Sequence, residues 1–516
     1  MIGGMTTLRA RIALMAAGLL VSASPVLAGD LGGGGCCADL EERVAELEAV
    51  SARKGNRKVS LTITGQVNRA IMYWNDGHKK DTYIGLDNTA SSSRFSLLGE
   101  GRLGPNIKMG FEIMIEIEAG GTMSKVNQLD EDGKIAHTAP LGNNISFNPP
   151  NTDAFFGDAR RVAFWVEHDK LGRLTLGRYE GTGTPYTIDL GGIAVVAPAS
   201  KAIMHGGFFL RGTAGQFYNA QWSTLLDQTG TIGGALGRVE LLRWDSPVWR
   251  GFVFGAHIAE ASDYWGAQVR YANELRGFRI AAHIGIDQSS DRLTTGITTG
   301  GADLALLDPT SPFYTGGKPD VRSWGAALSL MHVQTGLFVQ GHWMEQDFNS
   351  PIHVPNAYYG STGGATKKDA TDWLIQAGLT RNWLGWGHTS VYGEYGRSLD
   401  YGAASAGRNF AGSTACAFNA GAAAPINCAS GFSSLFGVTD TEARVWGIGV
   451  VQNIDSAATE LYLGYRNYEA KIIGEPGVLG AYNPAAGSYT VTSGGARQSI
   501  GLDDLHVVTG GARIKF

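Results

Sequence analysis

The chemistry this chain offers lies in charged side chains set at strand spacing. In the run 93–103, Arg94, Ser96, Leu98, Glu100 and Arg102 fall on one face of an extended chain, and Phe95, Leu97, Gly99, Gly101 and Leu103 fall on the other. In 171–179, Leu174 and Leu176 take the apolar face, which leaves Arg173 and Thr175 on the wet one. Strict alternation points Arg178 outward, so either Gly177 marks a bulge that re-aims it or Arg178 sits at the rim or a subunit interface. Glu180 and Asp189 follow at the start of a long connection. Guanidinium groups facing carboxylates across water set a field that sorts passing ions and polar solutes. Bond-making chemistry has no comparable support. The eleven histidines are scattered, with no H-E-x-x-H and no G-x-S-x-G, so each reads as a wall, loop or rim residue. No catalytic, metal or cofactor site is expected. The acidic stretch Gln128–Gly133 reads as a solvated loop tip rather than a cation site.

The elements that must position those charges are strands. Beyond Lys58 the apolar period is two. Sixteen strand-like runs can be counted: 59–74, 93–103, 107–118, 159–168, 171–179, 237–246, 252–262, 264–275, 278–289, 321–333, 337–347, 372–385, 388–400, 441–455, 457–471 and 503–516. In 107–118 every odd position is apolar, while the even ones are Lys108, Gly110, Glu112, Met114, Glu116 and Glu118. Such a surface suits lipid on one side and water on the other. Tight turns such as Gly104-Pro105-Asn106 and Arg276-Gly277 alternate with long loops at 119–158, 180–236, 290–320, 348–371, 401–440 and 472–502. An even strand number with short turns at one end and long loops at the other predicts a sixteen-stranded antiparallel transmembrane β-barrel over 58–516. Two further strands hidden in 180–236 would make eighteen.

Composition agrees. After residue 28 no apolar run is long enough for a transmembrane helix. Mean hydropathy is −0.07, as expected of a barrel with a polar interior and an apolar exterior. Residues 1–28 read as a secretory signal: Arg9 and Arg11 precede the apolar run 12–21, and Val26-Leu27-Ala28 is a small-residue cleavage site. Removing the signal deletes two arginines and no acid, moving the net charge from −5 to −7. That mild acidity gives no support to nucleic-acid binding. Residues 29–57 form a linker with a short helix from Asp39, with Leu40, Val44 and Leu47 on one face, suited to a short periplasmic coiled coil. Export implies an oxidising compartment. Cys416 and Cys428, in one Gly/Ala/Ser-rich loop, are expected to pair; Cys36 and Cys37 are adjacent and poorly placed to bond each other.

The last strand alternates Val508, Gly510, Ala512 and Ile514 with Thr509, Gly511, Arg513 and Lys515, and ends on Phe516. A terminal Phe on such a strand resembles the assembly signal of bacterial outer-membrane barrels. Four internal stretches resemble the general diffusion porins of Gram-negative outer membranes, including alphaproteobacterial, rhizobial-type members: Gly65-Gln66, Ser93–Gly101, Leu171–Arg178 and Ile188–Gly192. Gln66 stands where the family often has a basic residue, and Leu190 where it has an aromatic.

The resemblance implies a water-filled pore for passive diffusion of small hydrophilic solutes and ions, narrowed by an inward-folded loop at about 180–236. Arg94, Arg102, Arg173 and Arg178 would supply positive wall charge, and Glu180 and Asp189 negative charge on the loop. It also implies a homotrimer in contact with outer-membrane lipid and lipopolysaccharide, handed to the barrel-assembly machinery through the C-terminal strand, with the mature terminus Gly29-Asp30 a candidate for attachment to peptidoglycan. Two alternatives stay open: a substrate-selective eighteen-stranded channel, and a structural tether between outer membrane and peptidoglycan.

Overall fold

The computed structural model describes residues 59–117, 121–128, 159–183, 187–213, 215, 217–226, 238–259, 264–290, 320–348, 369–404, 435–483, 488–493 and 496–516. Residues 1–58, where a signal peptide, a linker and a short coiled coil are expected, all four cysteines and the acidic residues 129–133 lie outside the described residues, and with them the tether and disulfide expectations.

The strands are, in chain order, β1 (Ser60–Asn75), β2 (Lys80–Asp87), β3 (Arg94–Gly104), β4 (Ile107–Glu116), β5 (Ala159–His168), β6 (Gly172–Glu180), β7 (Phe209–Arg211), β8 (Phe217–Gln221), β9 (Arg238–Asp245), β10 (Phe252–Ala259), β11 (Tyr264–Leu275), β12 (Phe278–Ser290), β13 (Asp320–His332), β14 (Leu337–Phe348), β15 (Asp369–Arg381), β16 (Thr389–Leu399), β17 (Leu435–Ile454), β18 (Thr459–Asn483), β19 (Ser488–Ser493), β20 (Gln498–Ile500) and β21 (Leu505–Lys515). Every described pairing between them is antiparallel. β1 pairs with β3 on one side and with β21 on the other, from Gln66 opposite Lys515 to Asn75 opposite His506, so the sheet closes on itself. Closure removes the unpaired edges that a bilayer would not tolerate.

Sixteen strands make the full circuit; β2, β19 and β20 are partial additions to its upper part. The circuit's strands coincide with the sixteen runs of alternating residues. The eighteen-stranded alternative is corrected. The stretch 180–236 does hold two strands, β7 and β8, but they form a separate two-stranded sheet. Two loop expectations are also corrected. β17 begins at Leu435 and β18 runs on to Asn483, so parts of 401–440 and 472–502 are strand. Gly474, Pro476, Gly477 and Gly480 break any period-two pattern there.

Alternation assigns the two faces. In β1, Ile63, Val67, Ile71 and Tyr73 are exposed on the outside, while Gln66, Asn68, Met72 and Trp74 are buried inside. The outer residues meet hydrocarbon, so their exposure is the expected state of a lipid-facing band. Phe516 closes the circuit at its lower end: its N–H donates to the Gly65 carbonyl at 3.0 Å, its carbonyl accepts from the Gly65 N–H at 2.8 Å, and its ring is exposed.

Candidate functional site, a charged and half-filled lumen

The inside of the barrel is filled on one side by residues 187–226. Ile193, Val195, Met204, Phe208, Leu210, Trp222 and Leu225 of this inner segment are buried against Met72, Trp74, Tyr83, Leu86, Tyr462 and Tyr468 of the wall. Several wall groups fix its first turn. Gln340 accepts from the Leu190 N–H at 3.0 Å and the Gly191 N–H at 3.2 Å. The Gly191 carbonyl accepts from Thr380 Oγ1 at 3.0 Å and Ser390 Oγ at 2.6 Å. A Cβ on Gly191 would stand 2.5 Å from the Phe338 ring, and Gly192 has φ +70°, so glycine is required at both positions. Asn88 and Gln376 donate to the Val195 and Ala197 carbonyls, at 2.7 and 2.8 Å.

Buried charges fasten the rest. Lys201 is fully buried and pairs with Asp372 of β15. The same carboxylate accepts from Ser398 Oγ at 2.5 Å and lies 3.0 Å from His342 Nε2, while His342 Nδ1 meets Thr187 Oγ1 at 2.6 Å. Arg466 of β18 holds Glu394 of β16 at 2.6 Å and donates to the Pro198 carbonyl at 3.1 Å. Arg211 pairs with Asp76 at 2.9 Å. His205 of the inner segment sits between Tyr468 and Thr509, 2.7 and 3.3 Å away. Burial, and then the nearby Arg466, hold its pKa well below the ordinary histidine value, so it docks as a neutral group.

The facing wall, β3 to β6 and β9, carries charge. At its upper part Arg161 lies between Glu112 of β4 at 2.9 Å and Glu180 of β6 at 2.7 Å, with its guanidinium 5.0 Å above the Tyr179 ring. Arg238 of β9 reaches the same Glu180 at 3.1 Å. Arg160 bonds Glu116 at 2.6 Å and Ser92 at 2.7 Å. Consecutive strand residues normally face opposite sides. Here the β4–β5 register shifts between Met114 and Ile115, so Arg160 is an extra residue whose side chain also turns inward. Arg94 is opposite Gln66 and Glu116 in register and makes no hydrogen bond or ion pair with any described residue.

The candidate residues are therefore divided. Arg94 and Glu180 lie in this cluster. Arg102, exposed and opposite Lys108, stands at the lower end of β3. Arg173 stands at the lower end of β6, paired with Glu167 at 2.6 Å and stacked 4.2 Å over the Trp165 ring. Gly177 has φ +124°, but the pairing of β6 runs without a register shift, so Arg178 keeps the parity of the outward Leu174 and Leu176, opposite Val162 and Glu240. Asp189 is a turn cap: its carboxylate accepts from the Ile193 and Ala194 N–H groups at 3.1 and 2.7 Å and from Gln340 at 3.2 Å. Arg160, Arg161 and Arg238 were missed by sequence reasoning. The Arg160-Arg161 doublet at the head of a strand was the available signal, but alternation alone sends one of the two outward.

A field across a half-filled, charged lumen is the equipment of a channel. The model of the Gram-negative porin family matches residues 13–472. No curated protein matches the chain. Similar solved structures include an anion-selective porin from Comamonas acidovorans, 16% identical, covering 89% of this chain and 100% of that one with a TM-score of 0.46. OmpT of Vibrio cholerae is 11% identical, with 90% and 99% covered and a TM-score of 0.42. OmpF of Salmonella typhi, solved with daunomycin, is 11% identical, with 90% and 99% covered and a TM-score of 0.41. The chain belongs to the Gram-negative porin family: it is an outer-membrane β-barrel that forms a diffusion channel and is not an enzyme.

Proposed function

We propose that the pore passes small hydrophilic solutes and ions passively and favours anions. Its waist lies between the inner segment and the cluster on β3, β4, β5, β6 and β9. One observation carries the reading: among the described residues four guanidiniums, Arg94, Arg160, Arg161 and Arg238, face three carboxylates, Glu112, Glu116 and Glu180, and Arg94 has no ion pair with any of them. β15, which anchors Lys201, stands half a circuit from β5, so the segment and the basic cluster oppose each other across the water path. The field at the waist comes from this local surplus. The net charge of the whole chain, −5, does not set this field, because charges more than a Debye length away are screened. Arg102 and Arg173 act outside the waist in this reading, and Asp189 shapes the segment.

Sieving follows from the same geometry. Liposomes containing the purified protein should swell in isotonic solutions of small neutral sugars, with rates that fall steeply as sugar size rises. Equal rates for a pentose and a trisaccharide would contradict a narrowed waist.

A further inference from the structure

The inner segment is apolar where it meets water. Between residues 187 and 203 its polar anchors, Thr187 and Lys201, are buried against His342 and Asp372 of the wall. Apart from Asp189 and Gly192, the positions left open are Ile188, Leu190, Ala194, Ala199 and Ile203. Asp189 brings the only charge among these open positions, and its oxygens are taken by the Ile193 and Ala194 N–H groups and by Gln340.

The open apolar residues lie along one strip. Gln340 of β14 and Gln376 of β15 face each other in register and are bonded at 2.9 Å. The first holds the Leu190 N–H and the second the Ala197 carbonyl, so both ends of the turn 190–197 are drawn to one rung of the wall. Four residues further up the same strands, where Met344 faces Asp372, the Lys201 pair brings Ile203 in. Leu190 and Ile203 rest on the buried core behind them, which holds their shape.

This strip stands half a circuit from the guanidiniums of β3 and β5. A solute in the water path therefore has charged donors on one side and hydrocarbon on the other. A strongly hydrated anion gains only from the first. An anion with an apolar body gains from both: its head meets guanidinium while its body sheds water against Leu190 and Ile203.

We infer that the pore ranks anions of equal charge and size by their apolar surface, and favours small amphiphilic acids, an anionic head on an aromatic or branched hydrocarbon body, over hydrophilic ones. This ranking rests on the anion-preferring channel and deepens it: charge admits the class, and the strip orders its members.

The test uses the purified full chain in planar bilayers, with sodium benzenesulfonate on one side and sodium pyridine-3-sulfonate on the other. Both anions are fully ionised and nearly isosteric; the ring nitrogen removes roughly 30 Å² of apolar surface. The reversal potential should show benzenesulfonate about threefold more permeant, the gain such an area supplies. In the double variant Leu190→Gln, Ile203→Gln the ratio should fall to about one. Its sign under a potassium chloride gradient should stay that of chloride, since no charge changes. Ala194→Asn, at an exposed position of the strip, should lower the ratio in the same direction, and serves if a noisy current shows that the double variant loosens the segment. A ratio of one in the wild type, or an unchanged ratio in a quiet variant, would overturn the ranking. Wild-type protein that conducts with potassium's sign, or not at all, would instead remove the anion-preferring channel on which it rests.

Discussion

Lys201→Met should undo the docking of the inner segment. The substitution leaves Asp372 fully buried beside His342 with no cation, and stranding one member of a buried pair costs about 3–5 kcal/mol. The cost falls on the packed state of the segment, because the barrel's own ladders do not pass through Lys201. Open-channel current should become larger and noisier, and proteases added to the reconstituted protein should cut within 187–226. Changing both partners, Lys201→Met with Asp372→Leu, should restore most of the quiet current, since two apolar groups replace a pair whose desolvation offset much of its attraction. A single variant as quiet and as protease-resistant as the wild type would show that the pair does not hold the segment.

Arg94→Glu should invert the preference of the pore. Among the described residues the four-to-three surplus at the proposed waist becomes three cations against four carboxylates, and Arg94 has no ion pair there to reorganise. Opposed charges a few ångströms from the water path act at short range, within a Debye length of about 8 Å at physiological salt, so passing ions feel the change in full. The reversal potential under a potassium chloride gradient should cross zero, from the sign that chloride imposes to the sign that potassium imposes. Arg102→Glu, made on the same face of β3 but at its lower end, should shift it far less. Equal shifts from the two variants would place the waist elsewhere.

The barrel was readable from its residues because lipid imposes a strict demand. In β4, Met109, Phe111, Ile113 and Ile115 must all point out, and no other arrangement of that sequence satisfies both solvents. Where the demand lapses, so does the signal. The upper parts of β17 and β18 rise past the alternating runs and carry glycine and proline. The inner segment is a small core: Phe208, Leu210 and Trp222 pack in three dimensions without a period, so the stretch reads as an empty loop. At the proposed waist, Arg94 is legible because β3 alternates cleanly. Arg160 is not, because a one-residue register shift reverses its direction. Asp189, which the resemblance puts on the constriction loop as negative charge, has its oxygens engaged by the turn it caps, a contact that alternation does not reveal. Glu180 was found by its place in sequence, while its partners Arg161 and Arg238 come from strands that only the closed barrel brings together.

The most direct test is the reversal potential of the purified wild-type protein in a planar bilayer under a potassium chloride gradient. Discrete, roughly ohmic conductance steps with a reversal potential of chloride's sign are expected from a water-filled lumen with surplus guanidinium at its waist. Ohmic steps with potassium's sign would contradict the charge assignment of the waist, and repeated well-folded preparations with no steps would contradict the open lumen itself.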